Sequence, residues 1–166
     1  RLGVGIENMP DLLPEGIEGI HFHVLCESDS YSLEKVLEKF EANFGKYLSQ
    51  IKWVNMGGGH LMTRKGYDHE HLISLLKAFR EKYNVKVILE PGSAIAWETG
   101  VLVSTIQDIV EHKGVKTAIL DVSFTAHMPD TLEMPYRPKI IGAKEPEPGD
   151  KNLYRLGGVS CLAGDF

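Results

Sequence analysis

The chain has 166 residues, of which 43% are hydrophobic, and a formal net charge of −5 at pH 7. This length is sufficient for a domain of ordinary size with a substantial core. Its charges are of mixed sign, which argues against a nucleic-acid-binding protein, because that class clusters Lys and Arg on one face. No apolar run approaches the roughly 20 residues of a membrane-spanning helix, and no signal peptide opens the sequence.

Two cysteines, Cys26 and Cys161, lie far apart in the sequence. Such sparse usage suits a reducing compartment better than a disulfide framework, so we expect two thiols in a cytoplasmic protein. The chain begins at Arg1 without a methionine and ends at Phe166 within a motif. We therefore expect it to be a fragment of a longer fold.

The first part of the chain predicts a strand followed by a helix. A short buried strand ends at Leu25, with Glu18, Ile20, Phe22 and Val24 on one side. His21 and His23 share the opposite face, because side chains two apart on a strand point the same way. Ser32 is the predicted N-cap of the helix, and Gly45 is predicted to end or bend it. The apolar stripe of this helix consists of Leu33, Val36, Leu37, Phe40 and Phe44.

The same alternation continues through two further strands. A strand at residues 51–55 runs into three glycines at residues 57–59, and a second helix begins at or just after Asp68. The third strand, residues 85–89, has the apolar, β-branched character of a strand buried on both faces, and it stops at Glu90. This order predicts an α/β fold with a parallel sheet. In such folds, ligands bind at the carboxyl ends of the strands, so all three strand ends are expected to gather at one edge.

After Gly100 the pattern changes. Two apolar segments, residues 101–110 and 114–123, are separated by a short turn at residues 112–114 and predict a β-hairpin. We therefore divide the chain into a parallel α/β domain, residues 1–96, and part of an antiparallel β domain, residues 97–166.

The residues at the strand ends allow two interpretations each. Glu90 is either a solvated carboxylate before the Pro91-Gly92 turn or part of a ligand site. Three consecutive glycines either form a flexible loop or let backbone N–H groups approach a phosphate, because no Cβ obstructs the approach. Residue types alone leave both pairs of alternatives open.

The histidines and Cys161 also allow more than one interpretation. A strand that carries His21 and His23 on one face could bind a metal, but the pair lacks a third ligand at fixed spacing. The cluster at residues 68–71 is interpreted as a solvated polar turn at a helix start. No metal site is therefore predicted. Cys161 is either an inert thiol or a loop thiol, close to a carboxylate, that donates a proton.

Several short motifs occur in a fixed order: His23-Val24, Gly57-Gly58-Gly59, Glu90-Pro91-Gly92, Asp121, and Cys161 followed by Gly164-Asp165. This ordered set resembles the alanine-racemase-like (fold type III) pyridoxal-phosphate-dependent decarboxylases, which act on ornithine, arginine, diaminopimelate and carboxylated polyamines. The segment from His127 to Pro138, together with Ser160 to Asp165, is similar to the carboxynorspermidine (carboxyspermidine) decarboxylases. The resemblance covers essentially the whole chain.

The resemblance implies the C-terminal part of a (β/α)8 TIM-like barrel with an appended β domain. It also implies pyridoxal 5'-phosphate at the barrel mouth and a homodimer with active sites at the interface. By motif position, Glu90 pairs with the pyridine nitrogen and His23 stacks on the ring. Gly57, Gly58 and Gly59 hold the phosphate. Cys161, contributed across the dimer, is similar to the family thiol that returns a proton after decarboxylation.

The implied substrate is carboxynorspermidine or carboxyspermidine. Asp130 is the first choice for holding an amine of this substrate, and Asp121 and Asp165 are weaker candidates. Ser93 stands where relatives carry a charged residue, so a substrate contact is missing or altered there. Leu162 replaces an acidic residue of the ornithine and diaminopimelate enzymes, which argues against those substrates.

The lysine that binds the cofactor covalently in this family belongs to an early barrel strand, and no lysine of this chain lies in a matching motif. We therefore expect that lysine outside these 166 residues. Two alternatives stay open at this point. One is a decarboxylase of another diamino acid such as diaminopimelate, and the other is a non-catalytic relative that binds pyridoxal phosphate.

Overall fold

The computed structural model describes residues 2–134 and 136–166. It divides into two compact units, Arg1–Gly100 and Val101–Phe166, which are described separately below. The segment from His127 to Pro138, which carries the most specific resemblance, includes Pro135, which lies outside the described residues.

The first unit contains a parallel three-stranded sheet. Its strands are β1 (Gly19–His21), β2 (Trp53–Asn55) and β3 (Lys86–Ile88), hydrogen-bonded in the order β1-β2-β3. Helix α1 (Ser30–Phe44) connects β1 to β2, and α2 (His69–Tyr83) connects β2 to β3. A short helix, α3 (Ser93–Ala96), follows β3. The predicted α/β class with parallel strands is therefore confirmed.

The strands are shorter and less buried than predicted. Strand β1 ends at His21 rather than continuing to Leu25. In β3, Lys86 is exposed, and Val87 and Ile88 are only half-buried, so this strand is not enclosed on both faces. The apolar content of residues 85–89 reflects packing on the helices, because Val85, Val87 and Leu89 all join the core cluster of this unit.

The start of α1 corrects the sequence-based prediction. The helix begins at Ser30, and its N-cap is Asp29 rather than Ser32. The Asp29 carboxylate accepts a hydrogen bond of 2.8 Å from the Ser32 backbone N–H, so Ser32 is the capped residue rather than the cap. Gly45 is the C-cap, as predicted, and a 3-10 helix, Gly45–Gln50, follows it.

Packing of α1 and α2 on the sheet builds the core of the first unit. Asp68 is the N-cap of α2 and accepts a 2.9 Å hydrogen bond from the His71 backbone N–H, so the predicted helix start is confirmed. The two helices, the central strand β2 and the residue that follows it contribute many of the buried apolar side chains of this unit. Those core side chains are Leu33, Leu37, Phe40, Val54, Met56, Leu72 and Phe79.

The second unit has a mixed sheet rather than a purely antiparallel one. Strands β4 (Ile106–His112) and β5 (Val115–Leu120) form the predicted hairpin. The third strand, β6 (Arg155–Gly157), pairs with β5 in parallel. A parallel partner needs a long connection, and residues 121–154 supply it with two one-turn helices, α4 (Phe124–His127) and α5 (Asp130–Glu133).

The longest helices, α1 and α2, have 15 residues each. Across residues 2–134 and 136–166, none of the helices has the length and apolar character that a bilayer crossing requires.

Candidate functional site

Three consecutive strand ends lie side by side in the first unit. His21, Asn55 and Ile88 are register partners across β1, β2 and β3. Backbone pairing continues beyond them, because the Phe22 N–H donates to the Asn55 carbonyl at 3.0 Å and the Met56 N–H donates to the Ile88 carbonyl at 2.9 Å. The segments that follow the three strands are therefore held against one another, as the sequence predicted.

The glycine loop, defined as Gly57, Gly58 and Gly59, is packed between the segments that follow β1 and β3. A Cβ on Gly57 would lie 2.6 Å from the Phe22 carbonyl oxygen, and one on Gly58 would lie 2.6 Å from the Glu90 carbonyl oxygen. A Cβ on Gly59 would overlap the Leu25 carbonyl oxygen. Gly57 and Gly59 also have φ values of +70° and +81°. Close backbone packing therefore requires these glycines independently of any ligand.

Glu90 is anchored at both its backbone and its side chain. Its N–H donates to the Gly57 carbonyl at 2.8 Å, and its Oε1 accepts a 2.7 Å hydrogen bond from Asn55 Nδ2. Its Oε2 lies 3.6 Å from His21 Nε2. About half of its side chain (49%) is exposed. Glu90 therefore offers a fixed carboxylate to the solvent side of the strand edge, which a simple turn carboxylate does not.

Asn55 is a candidate site residue that the sequence reasoning missed. Its Oδ1 accepts the Gly57 backbone N–H at 2.9 Å, while its Nδ2 donates to Glu90. The available signal was a polar residue at the last position of a buried strand, two residues before a glycine run. One amide side chain therefore contacts both the glycine loop and the carboxylate.

His60, directly after the glycine loop, is a second residue that the sequence reasoning missed. It is 1% exposed. Burial lowers its pKa, although the nearby carbonyl groups of Met56 and Gly57 act in the opposite direction. Neither ring nitrogen has a hydrogen-bond partner within the described part of the chain. The ring is therefore neutral near pH 7 and serves as packing beside the loop.

His21 and His23 remain neighbours although the strand ends between them. Their ring centroids are 6.5 Å apart in an edge-on arrangement, and both side chains are exposed. The Gly58 N–H approaches His23 Nδ1 at 3.4 Å. One ligand atom from each of His21, His23 and Glu90 lies within 4.8 Å of the other two. Glu90 is the third group that sequence spacing alone did not provide, because it lies on a different strand.

Ser93 is the first residue of α3, and its side chain is exposed. It lies three residues after Glu90 in the segment that follows β3. The other predicted site residues, Asp121, Asp130, Cys161 and Asp165, belong to the second unit.

In the second unit, Asp165 is a buried carboxylate that binds backbone N–H groups. Its Oδ1 accepts from Phe124 at 2.7 Å and from Thr125 at 3.2 Å, and its Oδ2 accepts from Ser160 at 3.1 Å. Burial raises the carboxyl pKa, but the hydrogen bonds from Ser160, Thr125 and Phe124 outweigh it and hold the pKa at about 2. Asp165 thus joins the start of α4 to the segment that contains Cys161.

The remaining three residues are exposed. Cys161 is a free thiol. Asp121 accepts hydrogen bonds from the Ser104 hydroxyl at 2.8 Å and the Thr105 N–H at 2.9 Å, and the Thr105 bond is the main cause that lowers its pKa. Asp130 is the first residue of α5. These three predicted site residues therefore present one thiol and two carboxylates to solvent.

Replacement of Gly59 by Ala is expected to destabilise the first unit strongly. Alanine at this position would be strained by the positive φ, and its Cβ would overlap the Leu25 carbonyl. We expect the free energy of unfolding to fall by about 3 kcal/mol or more. Gly66 is the matched control, because it has a φ of +83° but open space around the Cβ position. Gly66→Ala is expected to cost only about 1–2 kcal/mol. Equal losses of unfolding free energy in the two variants would contradict the packing account.

Replacement of Asp165 by Asn is expected to destabilise the protein by about 1–3 kcal/mol near neutral pH, because an amide cannot accept from donors on both sides. The folded-state pKa of about 2 lies below the ordinary value of 3.8. The stabilisation is therefore complete above pH 4 and is lost as pH falls toward 2. The stability difference from wild type, measured by denaturant unfolding, should shrink over that range. Asp130→Asn, at an exposed position, is the control, and a pH-independent difference would refute this role.

No protein-family model matches the chain. Its sequence is 55% identical over 167 residues to a carboxyaminopropylagmatine decarboxylase from Synechocystis sp., covering 100% of the chain and 43% of that protein. It is 47% identical over 175 residues to a carboxynorspermidine/carboxyspermidine decarboxylase from Campylobacter jejuni, covering 99% of the chain and 46% of that protein. The chain therefore spans less than half the length of these curated relatives.

Solved structures agree with the sequence relatives. The crystal structure of carboxynorspermidine decarboxylase complexed with norspermidine from Campylobacter jejuni matches with a TM-score of 0.84 and 46% identity, over 99% of this chain and 47% of that one. A diaminopimelate decarboxylase structure matches with a TM-score of 0.64 at 22% identity, which supports the fold alone. Over essentially its whole length, the chain is therefore similar to part of the carboxyaminopropylagmatine and carboxynorspermidine/carboxyspermidine decarboxylases.

Proposed function

We propose that the whole protein is a pyridoxal-phosphate-dependent carboxy-lyase of polyamine biosynthesis. It removes the α-carboxylate of carboxynorspermidine or carboxyspermidine and releases CO2 with norspermidine or spermidine. Relatives at 55% and 47% identity are named for decarboxylation of carboxylated polyamine-type compounds, which supports this choice. The observation that carries the proposal is the fixed Glu90 carboxylate beside His23 and the glycine loop at one strand edge.

The donors and acceptors at this edge fit pyridoxal phosphate. Glu90 Oε2 is not engaged by Asn55, and its distance of 3.6 Å from His21 Nε2 is too long for a hydrogen bond, so it is available to a protonated pyridine nitrogen. His23 offers an exposed, flat imidazole for contact with the ring face. The Gly58 N–H makes only a long contact of 3.4 Å to His23, so it is a weakly held donor for a phosphate oxygen. We assign the phosphate to the glycine loop of Gly57, Gly58 and Gly59, with the Gly58 N–H as the donor, because the Gly57 N–H is held by Asn55 Oδ1.

When bound, pyridoxal phosphate supplies the electron sink that loss of CO2 requires. Glu90 contributes by holding a proton at the pyridine nitrogen, because a carboxylate beside this nitrogen favours its charged form. Cys161 contributes a proton from its Sγ to the α-carbon after CO2 has left. Its free, exposed thiol suits this role.

For the substrate amines we propose carboxylate partners in the second unit. Asp130 is the main candidate, because its exposed carboxylate can pair with an ammonium group. Asp121 is a second candidate, although it already accepts from Ser104 and Thr105. Asp165 serves the site by holding the Cys161 segment, because its oxygens are committed to backbone donors. Ser93 contributes a hydroxyl where a charged side chain is the family expectation.

The larger architecture is also a proposal. We infer that residues 1–96 form part of a (β/α)8 barrel, supported by three parallel strands with a helix in each connection. Residues 97–166 form part of an appended β domain, and the active protein is a cytoplasmic homodimer in which Cys161 completes the partner's site. Two exposed free thiols are compatible with a reducing compartment.

Carboxyaminopropylagmatine is the second candidate substrate, because the relative at 55% identity is named for it. A panel of carboxynorspermidine, carboxyspermidine, carboxyaminopropylagmatine, diaminopimelate and ornithine tests the choice on the whole protein by CO2 release. We expect the highest kcat/KM with a carboxypolyamine. A higher value with diaminopimelate or ornithine would contradict the proposal, and absence of turnover with all five would favour a non-catalytic binding protein.

Glu90→Gln is expected to lower kcat by about 100-fold, the usual effect of removing one electrostatic partner of the reacting system.

Cys161→Ala is expected to lower kcat by about 100-fold or more, through loss of the proton donor, with unchanged affinity for pyridoxal phosphate. Cys26→Ala, at the other exposed free thiol, is the matched control. Unchanged turnover in the Glu90 and Cys161 variants would remove the case for both roles.

A further inference from the structure

Asn55 makes two hydrogen bonds that point in different directions from the end of β2. Oδ1 accepts the Gly57 N–H at 2.9 Å, and Nδ2 donates to Glu90 Oε1 at 2.7 Å. The first bond lies within one segment, whereas the second spans 35 positions in sequence to the end of β3. A single side chain therefore joins the glycine loop to the carboxylate.

The chemistry of the partners determines which end of the amide faces which group. A backbone N–H can only donate, so the amide oxygen must face Gly57. The amide nitrogen then faces Glu90, where an ionised carboxylate is the matching acceptor. An aspartate at this position would retain the bond to Gly57 but would place a second carboxylate beside Glu90. Among the side chains of this size, asparagine alone satisfies both partners.

The backbone of the same region reinforces this arrangement. The Glu90 N–H donates to the Gly57 carbonyl at 2.8 Å, and the Glu90 carbonyl oxygen occupies the space that a Cβ on residue 58 would need. The backbone therefore fixes the separation of the two segments. It leaves the Glu90 side chain, half of which is exposed, free to rotate. Asn55 restricts that rotation.

We propose that Asn55 is a positioning residue that orients Glu90 and couples its placement to that of the glycine loop. Resting on the proposed function, this coupling makes the pyridine end and the phosphate end of the cofactor site a single unit. The pyridine nitrogen thus meets a carboxylate whose direction is set before the cofactor arrives.

The test uses the whole protein, without cofactor, titrated with pyridoxal phosphate and followed by absorbance. Asn55→Ala is expected to lower cofactor affinity by about tenfold or more, the effect of losing a hydrogen bond to a charged group. Asn55→Asp keeps the acceptor for Gly57 but opposes Glu90, so the acidic limb of the pH–activity profile should move up by about one pH unit. The other titratable groups that face Glu90, His21 and His23, are retained in all variants.

The double variant Asn55→Asp/Glu90→Gln separates positioning from general stability. It exchanges carboxylate and amide between the two strands, so the hydrogen bond can re-form with its polarity reversed. We expect cofactor affinity to recover at least about fivefold relative to Asn55→Asp, as pairwise coupling predicts, while decarboxylation stays low because the carboxylate is misplaced. Asn43→Asp makes the same chemical change on α1, away from the strand edge, and should match wild type.

These measurements separate failure of this inference from failure of the proposed function. If Glu90→Gln alone retains full decarboxylation, the proposed role at the pyridine nitrogen is wrong, whereas coupling between positions 55 and 90 is still read from cofactor affinity. If the effects of the two single variants simply multiply and Asn55→Asp leaves the pH profile unchanged, Asn55 has no positioning role. Should Asn55→Ala fail to fold, Asn55→Asp decides the matter, because it retains the bond to Gly57.

Discussion

In-register parallel pairing of β1, β2 and β3 is the constraint on which the site depends. Because His21, Asn55 and Ile88 lie at the same level of the sheet, the three segments that follow them must pack together. Close packing of three backbones leaves no room for Cβ atoms in the central segment, so glycines occupy it. At this edge Asn55 accepts a hydrogen bond from the Gly57 N–H and donates one to the Glu90 carboxylate, so its side chain connects the central segment to Glu90.

This arrangement gives the glycine loop a packing role in addition to the phosphate-binding role proposed for it. Packing explains why each glycine lacks a side chain, since the space is filled by the carbonyl groups of Phe22, Leu25 and Glu90. Binding of a phosphate would use the N–H groups of the same loop. A rigid loop is better suited to the second function than a flexible one, because less conformational entropy is lost when an anion binds.

Local patterns predicted the elements but not their long-range partners. Helical periodicity located α1 and α2, and the strand-helix alternation predicted the parallel sheet. Ser32 was mistaken for the cap because either residue type can cap a helix, and only the backbone geometry selects Asp29. The parallel pairing of β6, the bond from Asn55 to Glu90 and the bonds from Phe124 and Thr125 to Asp165 involve residues 35 to 41 positions apart. No local period or propensity encodes such contacts. The sequence therefore identified Glu90 and Asp165 by motif but not their hydrogen-bond partners within the chain.

The central claim is that the carboxylate at the end of β3 faces the pyridine nitrogen of the cofactor. Nitrogen-15 NMR of the whole protein, reconstituted with pyridoxal phosphate labelled at that nitrogen, tests this claim most directly. We predict the chemical shift of a protonated pyridine nitrogen in the wild-type protein near neutral pH, and the shift of an unprotonated one in Glu90→Gln. An unprotonated nitrogen in the wild type, or the same shift in both proteins, would contradict the account.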